Sequence, residues 1–329
     1  MVDRDHHTPR FAPRWQSTRT ATLFALALVA TALLILGGAC APAGSDTAAH
    51  DPPLLRDVST PGRIEALELT EASGLAQSAR DSAVFWSHGD SGNEPRLFAF
   101  DSAGRSIGTV HVTGATNRDW EAIASGPCTG GPCLYIADVG DNSARRDNVT
   151  IWRVAEPQAR DSSSEPARAL RIAYVDGPRD VEAMWVAPDT TLFLITKRPD
   201  RDEDRWRAAR VYRVNATAWR GDTGLVTAEI VDSLPIVPLK GKAGGWITDA
   251  ALSLADAQGD RRLAVRTYNS VYVFAVDRAT GRPGALLGQC SLKSLPEQDS
   301  GEGVTWLSDG RLLFDHEGVR ASLHAGRCP

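Results

Sequence analysis

Asp119-Trp120-Glu121-Ala122-Ile123 opens the stretch that decides the fold. A cysteine-bracketed gap follows, Cys128 to Cys133, and then the apolar run Leu134-Tyr135-Ile136-Ala137. That run ends in an acidic turn, Asp138-Val139-Gly140-Asp141-Asn142, and a second run, Val149-Thr150-Ile151-Trp152-Arg153-Val154, completes the unit. Short runs rich in β-branched and aromatic residues, separated by Gly, Asp and Asn turns, predict antiparallel strands.

The unit recurs along the chain. A small residue beside an acid or hydroxyl appears at Ser73-Gly74-Leu75, Glu121-Ala122-Ile123, Glu182-Ala183-Met184, Asp249-Ala250-Ala251 and Glu302-Gly303-Val304, in steps of 48, 61, 67 and 53 residues. A separate marker, an aliphatic residue followed by an aromatic or His, appears at Leu97-Phe98, Ile151-Trp152, Val211-Tyr212, Val271-Tyr272 and Leu323-His324, in steps of 54, 60, 60 and 52. Two independent markers with the same count and similar spacing define an internal repeat. Each repeat has an inner strand, a second strand and a third bearing the aromatic. Fourth strands are predicted at residues 107–113, 169–175, 228–234 and 285–292. The fifth repeat ends at Arg327 after three strands, and residues 63–69 supply its fourth. A propeller ring closes in this way and leaves no open sheet edge. The sequence thus predicts an all-β protein, a β-propeller of five blades over residues 61–329 closed by an N-terminal strand. Six blades are the alternative, because the long step from Glu182 to Asp249 has room for a degenerate one.

Residues 1–39 read as a signal peptide: basic residues up to Arg19, an apolar run over residues 21–36, then Gly37-Gly38-Ala39-Cys40. The apolar run is short for a membrane span. Small residues before a Cys resemble the lipobox of bacterial lipoproteins, whose Cys is lipidated after cleavage. Gly37 stands where that pattern usually has Leu. An uncleaved single-span anchor is the alternative. Residues 40–60 are expected to be the lipidated Cys and a flexible tether rich in Ala, Pro, Gly and Ser. Both readings put the protein at the cell envelope, outside the cytoplasm and tethered to the membrane. If Cys40 is lipidated, Cys128, Cys133, Cys290 and Cys328 remain, an even number suited to an oxidising compartment. The predicted pairs are Cys128–Cys133, across a Thr-Gly-Gly-Pro turn, and Cys290–Cys328.

Without the four Arg and two Asp of the first 39 residues, the 36 basic and 41 acidic residues become 32 and 39. A negative body with no long Lys/Arg run excludes a nucleic-acid binder. In a propeller, the loops leading into the inner strands and those joining second to third strands open on one face. Here they carry Glu71, Asp119, Glu121, Asp180, Glu182, Asp249 and Glu302, together with His88, Asp90, Asn93, Asp138, Asp141, Asn142, His316 and Glu317. Converging carboxylates repel one another unless protons, cationic side chains or a metal intervene. Calcium suits an all-oxygen ring, and Glu121, Glu182, Asp249 and Glu302 are the candidate ligands. Lys197, Arg198 and Arg266 are the alternative neutralisers. His88 and His316 fall at matching points of the first and fifth repeats, which adjoin in a five-membered ring, and are the candidate acid/base pair. Two structural loop histidines are the alternative.

Ala72-Ser73-Gly74-Leu75, Trp86-Ser87-His88-Gly89-Asp90-Ser91-Gly92, Asp119-Trp120-Glu121-Ala122 and Gly301-Glu302-Gly303 resemble bacterial propeller proteins, and are loosely similar to the esterase-like-phytase and SdiA-regulated groups. The likeness spans residues 64–328. Those groups resemble calcium-dependent lactonase propellers, whose channel-mouth Glu, Asn and Asp bind the ion and activate water. The resemblance implies, residue by residue, only that Glu121, Glu182, Asp249 and Glu302 are acids at a channel mouth. The expected function is a monomeric module that binds a small molecule or an envelope protein. The alternative is a metal-dependent hydrolase of an ester, lactone or phosphoester.

Overall fold

The computed structural model describes residues 51–329, except 199–200, 203–204, 222–223, 238–242, 298–299 and 329. The signal peptide and Cys40 lie outside the described residues. The first strand, β1, spans Arg56–Arg63. The first sheet follows as β2 (Ala72–Gln77), β3 (Phe85–Gly89), β4 (Arg96–Phe100) and β5 (Ser106–His111). The second is β6 (Trp120–Cys128), β7 (Gly131–Asp138), β8 (Val149–Ala155) and β9 (Arg168–Tyr174). The third is β10 (Val181–Val186), β11 (Leu192–Thr196), β14 (Ala209–Val214) and β15 (Leu225–Leu234), with a small hairpin of β12 (Arg201–Asp202) and β13 (Arg205–Trp206) inserted before β14. The fourth is β16 (Ile247–Leu252), β17 (Arg262–Thr267), β18 (Ser270–Val276) and β19 (Pro283–Ser291). The fifth takes β20 (Val304–Trp306), β21 (Leu312–Phe314) and β22 (Ser322–Arg327) from the C-terminal end and β1 from the N-terminal end.

Each sheet is an antiparallel meander. Its inner strand lies against the inner strand of the next sheet, and β20 lies against β2. The ring therefore closes, and the fold is a β-propeller. The long interval between Glu182 and Asp249 is filled by the third sheet's own strands and the hairpin insert, among the described residues.

The closing strand differs from the sequence reading. β1 pairs with β22 from Arg56 opposite Arg327 to Arg63 opposite Ser322. Residues 64–69 instead form a turn outside the ladder, exposed at Glu65, Leu67 and Glu68, with Ile64 and Leu69 buried beside Phe85, Phe100 and Leu323. Apolar residues at this spacing fitted a strand equally well, and burial of both side chains away from a ladder decides against it. Part of the segment read as a tether, residues 40–60, lies among the described residues. Leu54 bridges Ser291, Leu55 is buried, and β1 begins at Arg56.

The cores are apolar layers between sheets, and ring nitrogens of tryptophans cross three of them. Trp86 Nε1 donates to Glu156 Oε1 at 3.0 Å, Trp185 Nε1 to Gly281 O at 3.0 Å, and Trp306 Nε1 to Ala251 O at 3.0 Å. Such bonds fix a large side chain without stranding its only donor. Outer edges are also covered. β9 and β15 pair in parallel, and His111 of β5 exchanges backbone bonds with Ser162 and Ser164. Disulfides join Cys128 to Cys133 and Cys290 to Cys328, which fits an oxidising compartment. No helix among the described residues is long and apolar enough to cross a membrane.

Candidate acidic site at the channel mouth

The site begins with a bulge. In four of the inner strands the register slips at the mouth: between Ala72 and Leu75, Trp120 and Ala122, Val181 and Ala183, and Ile247 and Asp249. A bulge leaves a residue outside the ladder and re-aims its side chain. The bulged residues are Ser73 (with Gly74), Glu121, Glu182 and Thr248. Asp249 is therefore not the counterpart of Glu121 and Glu182. It pairs with Arg266 where Ala122 pairs with Ala137 and Ala183 with Ile195. One residue along a strand reverses the direction of the side chain.

Asp249 is fully buried. Its Oδ2 accepts from Leu75 N at 3.2 Å and Val304 N at 2.9 Å, and its Oδ1 from Ala250 N at 2.8 Å. Both oxygens are thus engaged, and the carboxylate ties the inner strand of the fourth sheet to those of the first and fifth. Burial pushes its pKa well up, against the pull of those amides, and Asp315 adds to the rise. Arg266 is also fully buried and donates from Nη1 to Gly303 O at 2.5 Å and Asp315 O at 2.7 Å. Asp315 Oδ1 in turn accepts from Gly303 N at 2.5 Å. Asp249 is thus satisfied in this layer, whereas Arg266 Nε and Nη2 and Asp315 Oδ2 are buried without a hydrogen-bond partner.

The carboxylates that do converge lie one layer nearer the mouth. Oxygens of Asp90, Asp119 and Glu121 lie within 4.8 Å of one another. Asp90 is positioned through its backbone, whose carbonyl accepts from Asn117 Nδ2 at 2.9 Å and Asn93 Nδ2 at 3.1 Å. Asp119 is set by its N–H, which donates to Asp138 Oδ1 at 3.2 Å. Asp138 is paired with Arg146 at 2.9 Å. Gly140 lets the backbone approach these carboxylates closely: a Cβ there would clash with Glu121 Oε1 and with Asp119 Oδ2.

Charge is poorly balanced here. Glu121 is buried, accepts from Ser73 Oγ at 3.2 Å, and shares a hydrogen bond with the Glu182 carboxyl. Glu182 is held by Lys197 Nζ at 2.7 Å. Burial first, then Glu182 and Asp90, push Glu121 well above the carboxylate range. Burial raises Glu182 to about 7 despite Lys197. Burial and Asp90 raise Asp119 to about 6, with Arg146 opposing. Glu302 is buried beside Glu182 and is pushed well up by burial and that neighbour. Of the four acids chosen from the sequence, Glu121, Glu182 and Glu302 form one electrostatic group. Asp249 belongs to the layer beneath.

His88 and His316 are both fully buried. His88 Nδ1 bonds Gly89 O at 3.1 Å and its ring stands edge-on to Trp120, with centroids 5.5 Å apart. His316 Nδ1 bonds Glu297 O at 2.7 Å and its ring stands edge-on to His324. Burial lowers them to about 4 and about 3, so both are neutral at pH 7. Each has separate partners, and no hydrogen bond or ring contact joins the two.

A chemical inventory follows from this geometry. The residues present fit a hard cation: three carboxylates in an all-oxygen set whose oxygens lie within 4.8 Å of one another, and a surplus of negative charge. Glu182 is already held by Lys197, and Asp249 by three amides.

No family model matches the chain, and no curated protein sequence does. Solved structures to which the chain is similar include the soluble aldose sugar dehydrogenase of Escherichia coli in its apo form, at 13% identity and TM-score 0.46, over 83% of this chain and 99% of that one. The holo pyranose dehydrogenase PQQ domain from Coprinopsis cinerea matches at 10% identity and TM-score 0.42, over 85% and 99%. A streptogramin B lyase matches at 9% identity and TM-score 0.36, over 83% and 97%. Likenesses this distant say nothing about activity.

Proposed function

We propose that the chain is an envelope-tethered propeller module that holds a calcium ion at Asp90, Asp119 and Glu121 and uses that face to bind a small ligand or an envelope protein. The observation that carries this reading is the meeting of those three carboxylates beside the Glu121–Glu182 pair, with Lys197 as the cation bonded to the group. Bound calcium would replace the proton that the pair now shares. The two disulfides support an extracytoplasmic setting, and lipidation at Cys40 would supply the tether.

Calcium titration of the purified protein by calorimetry is expected to give one site. At a hundredfold excess over Kd, binding adds about 2.7 kcal/mol of stability. Glu121→Gln should abolish the calcium-dependent rise in Tm. A protein that binds no calcium and melts identically with and without chelator sinks this reading.

The pH profile gives a second check. Asp119 and Glu182 titrate higher in the folded than in the unfolded state, so the folded protein binds more protons between about pH 4 and pH 7. These two carboxyls therefore lower the stability of the metal-free protein as pH rises through that window. His88 and His316, held low by burial, act in the opposite sense there, so the carboxyl part is read as the difference between the wild type and Asp119→Asn. Calcium should flatten or reverse the slope, because it takes the place of the protons. A pH slope in chelator that is the same in the wild type and in Asp119→Asn contradicts the carboxylate repulsion on which the site rests.

A hydrolase is the second reading, and Asp119 is the residue that favours it. It is half-buried, titrates at about 6 and stands within the cluster, as a general base should. Calcium-dependent turnover of a lactone or phosphoester that disappears in Asp119→Asn would establish it.

A further inference from the structure

The opposite end of the channel has a different chemistry. The distal ends of all five inner strands surround a cavity of about 520 Å³, within the range of small-molecule sites. Its walls include Ile123, Trp185, Val186, Leu252 and Trp306, with Leu254, 65% exposed, at the rim. The indole N–H groups of both tryptophans are committed to Gly281 O and Ala251 O. Those side chains are thereby fixed, and they offer the cavity carbon surface.

One charged side chain lines this cavity, Arg261. Its Nη1 donates to Ser253 O at 2.7 Å, and it takes part in no ion pair among the described residues. Beside it, the Arg262 guanidinium lies over the Trp306 ring, 4.7 Å from its centroid. No carboxylate lines the cavity to answer either charge. The proximal mouth is acidic and this one is apolar with a cationic rim, and the Asp249 layer lies between them.

We infer that this distal cavity binds a small apolar carboxylate, its hydrocarbon body against the tryptophan and aliphatic walls and its carboxylate at Arg261. Both terms are needed. Apolar burial supplies affinity without direction, and a guanidinium–carboxylate bond fixes which end faces the rim.

The test uses 2-naphthoate as the probe, titrated into the protein by calorimetry, with uncharged 2-naphthamide as its partner. Saturable 1:1 binding of naphthoate, clearly tighter than that of the amide, is expected. Arg261→Gln should weaken naphthoate about ten- to a hundredfold, the worth of a charge-assisted bond, and leave the amide unchanged. Leu254→Glu, at an exposed rim position that folding does not depend on, should weaken naphthoate selectively by placing a like charge at the entrance. Three results overturn the inference: no saturable naphthoate binding by the wild-type protein; equal affinity for acid and amide; or a concentration-dependent dimer in sedimentation that naphthoate fails to dissociate, which would assign the cavity to a second copy of the chain.

Discussion

Asp249→Ala is expected to be the most damaging single substitution in the ring, lowering Tm by on the order of 10 °C. The carboxylate accepts from the N–H groups of Leu75, Ala250 and Val304 in a fully buried layer. Its removal leaves three donors with no partner and no water. Each costs about 1–3 kcal/mol, against a total stability of about 5–15 kcal/mol. Arg266 would also lose one of the carboxylates that face it. Asp249→Asn keeps a carbonyl oxygen for the amides and should recover much of the loss. The comparison separates hydrogen bonding from charge, and thermal melting at fixed calcium reads it. An alanine variant that melts within about 2 °C of the wild type would show that the layer is held by packing alone.

The second large effect is expected from Cys290→Ala with Cys328→Ala. That bridge closes a separation of 38 residues, and the chain-entropy relation assigns it about 4 kcal/mol. Cys128–Cys133 closes a separation of 5 inside a hairpin whose ladder already sets Cys128 opposite Gly131. Its loss should cost about 2 kcal/mol at most. The two double variants, melted side by side and probed by limited proteolysis, give the ranking. Equal destabilisation would mean that the longer loop stays compact in the unfolded chain.

Much of the fold was legible because its signals are local. Alternating apolar runs and acidic turns gave strands whose fourth members, predicted at residues 107–113 and 169–175, are present at Ser106–His111 and Arg168–Tyr174. The closing strand was misplaced by seven residues because Ile64 and Leu69 are apolar for a different reason, burial under a loop. At the site, Glu121, Glu182 and Glu302 were visible as acids at repeated positions. Asp249 matched the same pattern, but a bulge moves the register by one, and bulges are set by pairing that a single strand's sequence does not display. Thr248 beside it was the available clue, a small polar residue where the first repeat has Ser73. Asp90 and Asp119 stood among the mouth residues, yet their convergence on Glu121 depends on Asn93 and Asn117, which fix the backbone carbonyl of Asp90. For the histidines the sequence offered a structural reading beside the acid/base one, but not their burial. Ser87-His88-Gly89-Asp90 reads as a turn, whereas Ser87, His88 and Gly89 complete the fully buried strand Phe85–Gly89, with the Trp120 ring edge-on to His88.

Ring closure through β1 has a consequence for the order in which the protein can fold. Thr60 of β1 bonds His324, 264 residues further along the chain. The first four sheets are each contiguous in sequence and can form as the chain emerges, whereas β1 must wait for the last strands to arrive. Contacts of such long range are slow to form and make the final step the rate-limiting one. Until then a nearly complete arc presents an unpaired edge on β22, the species most prone to pair with another chain. Joining the present termini and opening the chain between the fourth and fifth sheets would make every sheet contiguous. Such a permuted chain should refold faster and aggregate less at equal equilibrium stability, which makes the cost of this topology kinetic.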